Sequence, residues 1–289
     1  MTLPFIAPHT PRNPAPLPTL NLVGAGRVAQ TLSCLWHSHA SFAIQDVLTT
    51  SLTSAQAACS VIGAGHAVPT MQAMRKADVW MLAVQDAQLA DCALALAAAA
   101  PPGPSIVFHC SGAQGASTLA PLAALGWQIA SAHCILSFAS VSAALTQFPG
   151  TPCALEGNAT ACNTLRPAFT AIGARCFDVA SSDKLLYHAA AVFATNFLPV
   201  LQSTAEDLWR STGVPAELIV HLRASLLRNA VANITALGPQ AALTGPAARG
   251  DTAAIARQGA AVAAWDAQTG AAYHALSALA LRLAQQKQH

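Results

Sequence analysis

Residues 20–30 read Leu-Asn-Leu-Val-Gly-Ala-Gly-Arg-Val-Ala-Gln, an apolar strand-like run that breaks at two glycines and resumes as a helix-like run. Gly24 allows a tight turn after the strand, and Gly26 lets the backbone approach a pyrophosphate. Ala29 stands where this fingerprint takes glycine or alanine, so the helix can pack closely. The N–H groups at the helix start would face the anion. The stretch predicts a dinucleotide-binding turn, with cofactor contacts from Gly24, Ala25, Gly26, Arg27 and Val28.

The composition is apolar and carries little charge. Of 289 residues, 54% are hydrophobic and 9% are charged, with a net charge of +2, whereas an average soluble domain has about 25% charged residues. The length suits one large domain or two smaller ones with ample core. No uninterrupted apolar run reaches the roughly 18 residues of a membrane span, and no basic cluster favours nucleic acid. We expect a soluble protein that binds neither membranes nor nucleic acid.

The cysteines suggest a reducing environment. Eight are present, all inside apolar segments, and none belongs to a Cys-x-x-Cys pair. This spacing argues against a zinc knuckle or a redox dithiol. Burial as free thiols in the cytoplasm is the better interpretation, and no metal site is predicted.

The chain divides into three parts by pattern. Residues 1–18 contain six prolines and predict an extended or disordered arm. Residues 19–180 alternate helices with short apolar strands, which predicts an α/β Rossmann-type doubly wound parallel sheet. The predicted strands are Leu20–Val23, Ala43–Thr49, Asp78–Val84, Ser105–Cys110, Trp127–His133, Cys153–Glu156 and Arg175–Val179.

Residues 181–289 predict an all-α C-terminal domain, because the alternation ends at Ser181 and long helical patterns follow. Three helices are expected, over Lys184–Ser211, Pro215–Leu237 and Thr252–Gln286. The Pro199 ring would clash with the carbonyl of Thr195, which predicts a kink in the first helix.

Several strings together resemble a known family. They are the Gly24–Arg27 turn, Phe-His-Cys-Ser-Gly at 108–112, Ser-Ala-His at 131–133, Tyr-His-Ala-Ala at 187–190 and Leu-Thr-Gly-Pro-x-x-Arg-Gly-Asp at 243–251. The chain resembles predicted NADP-dependent oxidoreductases with a Rossmann-like domain and a helical domain of unknown function. These are relatives of pyrroline-5-carboxylate reductase, ketopantoate reductase and the 6-phosphogluconate dehydrogenase superfamily. The resemblance covers nearly everything after Thr19 and implies hydride transfer with a nicotinamide cofactor.

The sequence departs from this family at a few positions. Gln85 and Cys134 stand where members tend to have proline, and Thr-Thr-Ser at 49–51 replaces an Arg-Ser-like pair that can hold a 2′-phosphate. NAD-specific sites place a carboxylate at the end of the second strand, but Asp46 lies too early in that strand and is interpreted as structural. With Thr50, Ser51 and Arg27 nearby, NADP is favoured, and NAD stays possible.

Ligands of such sheets bind beyond the carboxyl ends of the strands. Three loops meet there and supply the remaining predicted cofactor contacts, Val84, Gln85, His109, Ser111 and Gly112. His109 has an alternative role as a strand-end histidine bonded to backbone. His133 also ends a strand, and it resembles the strand-end histidine of prephenate dehydrogenases.

Candidate catalytic groups follow in the helical part. His188 and Asn196 lie on the same face of a predicted helix, and Lys184 precedes them on that face. The unperturbed histidine pKa of about 6.5 suits a proton donor, and an amide could orient the substrate. We predict His188, Asn196 and His133 as catalytic residues. The alternative is that His188 packs between helices and that Asn196 bonds carbonyls loosened by Pro199.

Arg249 lies in the loop 243–251, where its planar fork of donors suits a substrate carboxylate or a phosphate. Asp251 beside it is interpreted as a helix N-cap.

Two function classes follow. The first is a reductase that moves hydride between NADP and an imine or carbonyl of a small substrate, with a deazaflavin as an open alternative for the hydride partner. The second is a dinucleotide-binding sensor or scaffold without turnover. Ala- and Leu-rich helices with few charges also predict a homodimer through the helical domain.

Overall fold

A computed structural model describes residues 16–99 and 104–286. The predicted arm at residues 1–18 lies almost wholly outside the described residues. The chain forms two compact units, the first ending at Ala191 and the second beginning at Val192.

The first unit contains an eight-stranded sheet. Its strands are β1 (Thr19–Val23), β2 (Ala43–Leu48), β3 (His66–Ala67), β4 (Val79–Leu82), β5 (Ile106–His109), β6 (Gln128–Cys134), β7 (Pro152–Gly157) and β8 (Arg175–Asp178). The order across the sheet is β3-β2-β1-β4-β5-β6-β7-β8. Neighbours are parallel except β6 and β7, which are antiparallel. The predicted Rossmann-type α/β fold is confirmed, but the last two strands, β7 and β8, run opposite to the other six.

Helices connect the strands and cover the sheet. They are α1 (Arg27–Ser38), α2 (Leu52–Ile62), α3 (Leu89–Ala99), α4 (Ala120–Ala123), α5 (Val141–Gln147), α6 (Ala159–Ala171) and α7 (Lys184–Ala191). The sequence of residues 71–76 also predicts a helix, but that prediction is wrong, because only Met71–Ala73 forms a single 3₁₀ turn. The backbone after it is held instead by Asp46, whose carboxylate accepts the Arg75 N–H at 2.7 Å.

Apolar side chains fill both faces of the sheet, because strands covered on both sides must be apolar throughout. On one face Trp36 packs edge-on against Phe42, Phe108 and Phe169. On the other, Trp80 packs against Trp127 at 5.6 Å between ring centroids. All eight cysteines are free thiols.

The second unit is helical, as predicted. It contains a π-helical stretch (Val192–Asn196) and the helices α8 (Phe197–Ser211), α9 (Ala216–Ala242), α10 (Gly245–Ala248), α11 (Thr252–Trp265) and α12 (Ala267–Gln285). The π-helical stretch ends shortly before Pro199. Because Pro199 has no N–H, it cannot donate the helical hydrogen bond to the carbonyl four residues earlier, and the helix is irregular there.

The long helix predicted over Thr252–Gln286 is divided at Asp266. This residue has extended dihedrals (φ −153°, ψ 124°), and its carboxylate accepts the Thr269 N–H at 2.7 Å. An aspartate can therefore end one helix and cap the next within a continuous apolar pattern.

The helical segment Ser181–Ser211 is long and apolar enough, by length and composition, to cross a membrane. Length and composition alone are weak evidence for a membrane span, because core helices pass the same test.

Candidate functional site

The glycine turn between β1 and α1 forms as the sequence predicts. Gly24 has φ +86°, a conformation that L side chains rarely adopt, and a Cβ there would lie 2.5 Å from the Ala83 carbonyl oxygen. A Cβ at Gly26 would meet no atom within 4 Å. No side chain caps the N-terminus of α1, so its first N–H groups are available to an anion.

A cavity of about 570 Å³ opens beside this turn. Gly24, Ala25 and Gly26 form one wall, Val84 and Gln85 another, and Thr50 lies near the end of β2. Small and apolar residues of α2 complete the lining, and no charged side chain belongs to it among the described residues. Ser51 does not line this cavity: its hydroxyl caps α2 by accepting the Ser54 N–H at 3.1 Å.

Asp46 has a structural role, as its early position in β2 predicts. It is fully buried and forms an ion pair with Arg75 at 2.6 Å. Its backbone N–H donates to the side-chain oxygen of Asn21. Among the residues described, no carboxylate therefore lines the cavity near the end of β2.

A second cavity of about 330 Å³ shares Gly26, Ala83 and Val84 with the first. Arg27, Val28, His109 and Ser111 also line it. The Arg27 guanidinium donates to the carbonyls of Phe138 and Ala139 at 3.2 and 2.8 Å, so it ties the segment after β6 to the glycine turn. Together the two cavities follow the carboxyl ends of the central strands, where such sheets bind ligands.

His109 is held as a neutral imidazole. Its Nδ1 accepts the Ser111 N–H at 3.2 Å, and its Nε2 lies 3.0 Å from the Gly115 carbonyl, to which it donates. Burial lowers the pKa of His109 to about 4. These bonds match the backbone-bonded alternative, and they fix the shape of the loop 109–116.

Ser111 and Asp86 fasten this loop to the turn after β4. The Ser111 hydroxyl donates to the Asp86 carboxylate at 2.7 Å and accepts the Gln114 N–H at 3.0 Å. The Gln114 amide donates to the Asp86 carbonyl at 2.6 Å. Asp86, which the sequence analysis did not single out, places a carboxylate in the second cavity.

Gly112, the next residue, lies against two histidines. A Cβ there would lie 2.8 Å from His133 Cε1 and even closer to His188 Cδ2. The rings of His133 and His188 are 5.7 Å apart between centroids. The structure thus brings together Gly112, His133 and His188, which the sequence analysis predicted in three separate segments.

Tyr187 joins this group. Its hydroxyl lies 2.9 Å from His133 Nδ1. Burial lowers the pKa of His133 to about 4 and raises the pKa of Tyr187. At neutral pH the pair is therefore an uncharged imidazole bonded to an uncharged phenol.

Lys184 is the main site residue for which the sequence alone predicts no role. Its side chain is 2% exposed, and its Nζ donates to the Ser111 carbonyl at 3.1 Å and to the Ser131 hydroxyl. Burial lowers the pKa of Lys184, and the charges of Glu156 and Asp86 oppose part of that effect. A signal was present, because Lys184 and His188 are four residues apart and share a helical face.

The predicted residues Asn196 and Arg249 belong to the second unit. Asn196 ends the π-helical stretch and accepts a hydrogen bond from the Thr195 hydroxyl at 2.8 Å. Arg249 is exposed at the C-terminus of α10. Asp251 caps α11 by accepting the Ala254 N–H at 2.9 Å, as predicted.

Comparison with family models also gives two parts, but it divides the chain earlier than the boundary between the two structural units. Residues 12–134 match the Rossmann-like domain, and residues 151–280 match DUF2520, a domain of unknown function. No curated protein sequence matches the chain significantly.

Several solved structures share the fold. A protein from Thermotoga maritima is 24% identical with a TM-score of 0.73, over 94% of this chain and 100% of that one. A Bacteroides fragilis protein described as an NADP oxidoreductase is 19% identical with a TM-score of 0.69, over 92% and 98%. A Myxococcus stipitatus imine reductase in complex with NADP⁺ is 15% identical with a TM-score of 0.59, over 93% and 95%. At these identities the likeness establishes a common fold.

Proposed function

We propose that this chain, in which a Rossmann-like domain precedes a DUF2520 domain, is an oxidoreductase that reduces an imine or carbonyl group of a small substrate with NADPH. The observation that carries the proposal is the position of four proton-bearing side chains beside the loop 109–116, which lines the predicted cofactor cleft. These side chains are His133, Lys184, Tyr187 and His188. The names of two fold neighbours, an NADP oxidoreductase and an imine reductase, support it.

The cleft fits a dinucleotide. Gly26 leaves room for a pyrophosphate at the uncapped N-terminus of α1. The lining of the larger cavity suits an adenosine, because it is mainly apolar. Thr50 offers a hydroxyl near the end of β2, where no carboxylate would repel a 2′-phosphate among the described residues. These features favour NADP over NAD.

Reduction of a carbon–nitrogen or carbon–oxygen double bond requires a hydride for the carbon and a proton for the heteroatom. The bound cofactor supplies the hydride, and side chains of this protein supply the proton. His188 is the proposed donor. His133 is neutral at the working pH, so its proposed role is to orient Tyr187, and the Lys184 ammonium would stabilise negative charge that develops on the substrate.

Asn196 and Arg249, both in the second unit, are proposed as substrate-binding residues. The Asn196 amide can both donate to and accept from a substrate. Arg249 is exposed and carries a planar fork that can bind a carboxylate. We propose that a small acid is a suitable substrate class.

The first test is cofactor binding and turnover. In fluorescence titration we expect NADPH to bind more tightly than NADH, for the reasons given above. NADPH oxidation is then followed with a panel of cyclic imines and 2-oxo acids, and at least one is expected to be reduced. Tighter binding of NADH would overturn the cofactor assignment. A sensor or scaffold would bind NADPH and consume none with any substrate.

We also propose a homodimer formed by the second unit. Among its described residues, 192–286, only Ile219, Ile255, Gly259 and Gly270 are buried. Large apolar side chains of α9 are exposed instead, among them Leu226 (51%) and Ile234 (50%). So much exposed apolar surface favours association, and closed two-fold pairing is the common solution.

Light scattering tests this proposal. One chain has a mass of 29.5 kDa, and we expect twice that value at micromolar concentration. The double substitution Leu226→Glu and Ile234→Glu is expected to give monomers, because it places charges on the proposed contact. Leu94→Glu is the control, since Leu94 is equally exposed on α3 of the first unit. A monomeric wild-type protein would contradict the dimer.

A further inference from the structure

We propose that Glu156 is a positioning residue for the reaction: it anchors both the start of the Lys184 helix and the end of the loop 109–116. The inference rests on the proposed function, because it concerns the same site. Glu156 lies on β7, which the sequence analysis treated only as a strand.

The first anchor is a matched pair of contacts between sheet and helix. Ser131 and Glu156 are opposite each other on the antiparallel strands β6 and β7. Ser131 binds the ammonium of Lys184, and Glu156 accepts the Ser181 hydroxyl at 2.5 Å. Ser181 and Lys184 are three residues apart, so they are neighbours across one helical turn. Two paired sheet residues therefore hold two neighbouring points at the entry to α7.

The second anchor is the end of the loop. The other carboxylate oxygen of Glu156 accepts the Ala116 N–H at 2.7 Å. The preceding residue, Gly115, receives the hydrogen bond from His109. One carboxylate thus fixes the loop that brings Gly112 to the histidines and the helix that carries Tyr187 and His188.

Burial makes this carboxylate important electrostatically. Glu156 is 7% exposed and Lys184 is 2% exposed. Within the described chain neither forms an ion pair at 4.0 Å or less, since the carboxylate is occupied by neutral donors. An unscreened carboxylate in the interior still favours the ammonium form of a nearby lysine.

Several other titratable groups near Lys184 also affect its pKa. The titratable groups besides Glu156 are Asp86 from the turn after β4, His109 and Cys110 at the end of β5, His133 on β6 and Cys153 on β7. The two histidines are neutral above their pKa values of about 4. Burial raises the pKa of the Cys110 thiol, and the hydrogen bond with Cys134, together with burial, raises the pKa of the Cys153 thiol. Near neutral pH, Glu156 and Asp86 are thus the charged groups that support the ammonium.

Loss of the Glu156 charge is expected to destabilise the ammonium form of Lys184. Burial already lowers the pKa of Lys184, and removal of the Glu156 charge lowers it further. The ammonium is then lost at a lower pH. In Glu156→Gln we expect the Lys184 titration to move to lower pH, and the high-pH limb of kcat to move with it.

The sequence makes this titration directly measurable. The chain contains three lysines, Lys76, Lys184 and Lys287. Protein labelled with carbon-13 and nitrogen-15 in its lysine side chains therefore gives three signals, and Lys184→Arg identifies the signal of interest. Asp178→Asn is the matched control, because it removes an equal charge from an exposed ion pair with Arg166. It is expected to leave the Lys184 titration unchanged.

Ser181→Ala separates anchoring from charge. It deletes one hydrogen bond to Glu156 and keeps the carboxylate, so we expect kcat to fall about tenfold, within the range of a lost bond to a charged group, with an unchanged Lys184 titration and an unchanged KM for NADPH. It also keeps the proposal testable if Glu156→Gln does not fold.

Two results would overturn the proposal. One is a Lys184 titration in folded Glu156→Gln that matches wild type, and the other is a wild-type kcat in Ser181→Ala. The NMR titration uses the free protein and needs no substrate. An inactive protein with the shifted titration would overturn the proposed function and leave the Glu156–Lys184 coupling established.

Discussion

Replacing His188 by alanine is expected to lower turnover by roughly 10²–10⁴, the usual contribution of a positioned proton donor. The ring lies beside Gly112 and 5.7 Å from the ring of His133, close to the loop that lines the second cavity. Affinity for NADPH should stay nearly unchanged, because His188 lines neither cavity along the glycine turn. Steady-state kinetics together with a fluorescence titration of NADPH measures both quantities.

The control is His66→Ala. His66 is exposed on β3, the strand at the far edge of the sheet, so its loss should leave turnover unchanged. If His188→Ala kept turnover within about twofold of wild type, the proton would have to come from another group. Tyr187→Phe would then be the decisive variant, because it removes the hydroxyl that meets His133 at 2.9 Å.

The second large effect is expected at the two glycines of the turn, which should respond differently to alanine. Gly24→Ala places a methyl group 2.5 Å from a backbone oxygen in a left-handed conformation. We expect a loss of about 2–4 kcal/mol in folding free energy from strain and overpacking. That corresponds to a fall of about 5–15 °C in unfolding temperature for a unit of this size.

Gly26→Ala is the matched comparison, because its methyl group would meet no atom within 4 Å in the free protein. Stability should be unchanged. NADPH affinity should fall about 10- to 100-fold, since the methyl group fills the space proposed for the pyrophosphate. Thermal unfolding and NADPH titration of both variants check this. A stable, tightly binding Gly26→Ala protein would place the cofactor elsewhere.

Much of the first unit could be predicted because buried parallel strands appear in the sequence as short apolar runs. Val79–Leu82 is apolar throughout, and Ile106–His109 is apolar up to its last residue; both runs lead into polar loops. The direction of β7 could not be predicted, since a short apolar strand has the same composition in either direction. Asp266 was missed because the apolar pattern of α11 and α12 continues across it.

The candidate site was predictable only in part. Strand-end residues such as His109 and His133 follow from the rule that ligands bind at the carboxyl ends of parallel strands. Hydrogen-bond partners do not follow from any local pattern. Ser131 meets Lys184 across 53 positions of sequence, and Asp86 meets Ser111 across 25. Lys184 shares a helical face with His188, but that signal does not assign it a role, because a lone lysine in a helix is usually solvated.

The antiparallel pairing of β6 with β7 has a practical consequence for recombinant fragments. The DUF2520 match begins at residue 151, inside the segment that leads into β7, although β7 and β8 complete the sheet of the first unit. A fragment cut at that point would leave the backbone of β6 unpaired along an apolar edge, and such edges template aggregation. Chimaeras with proteins of the same fold should therefore exchange segments beyond β8.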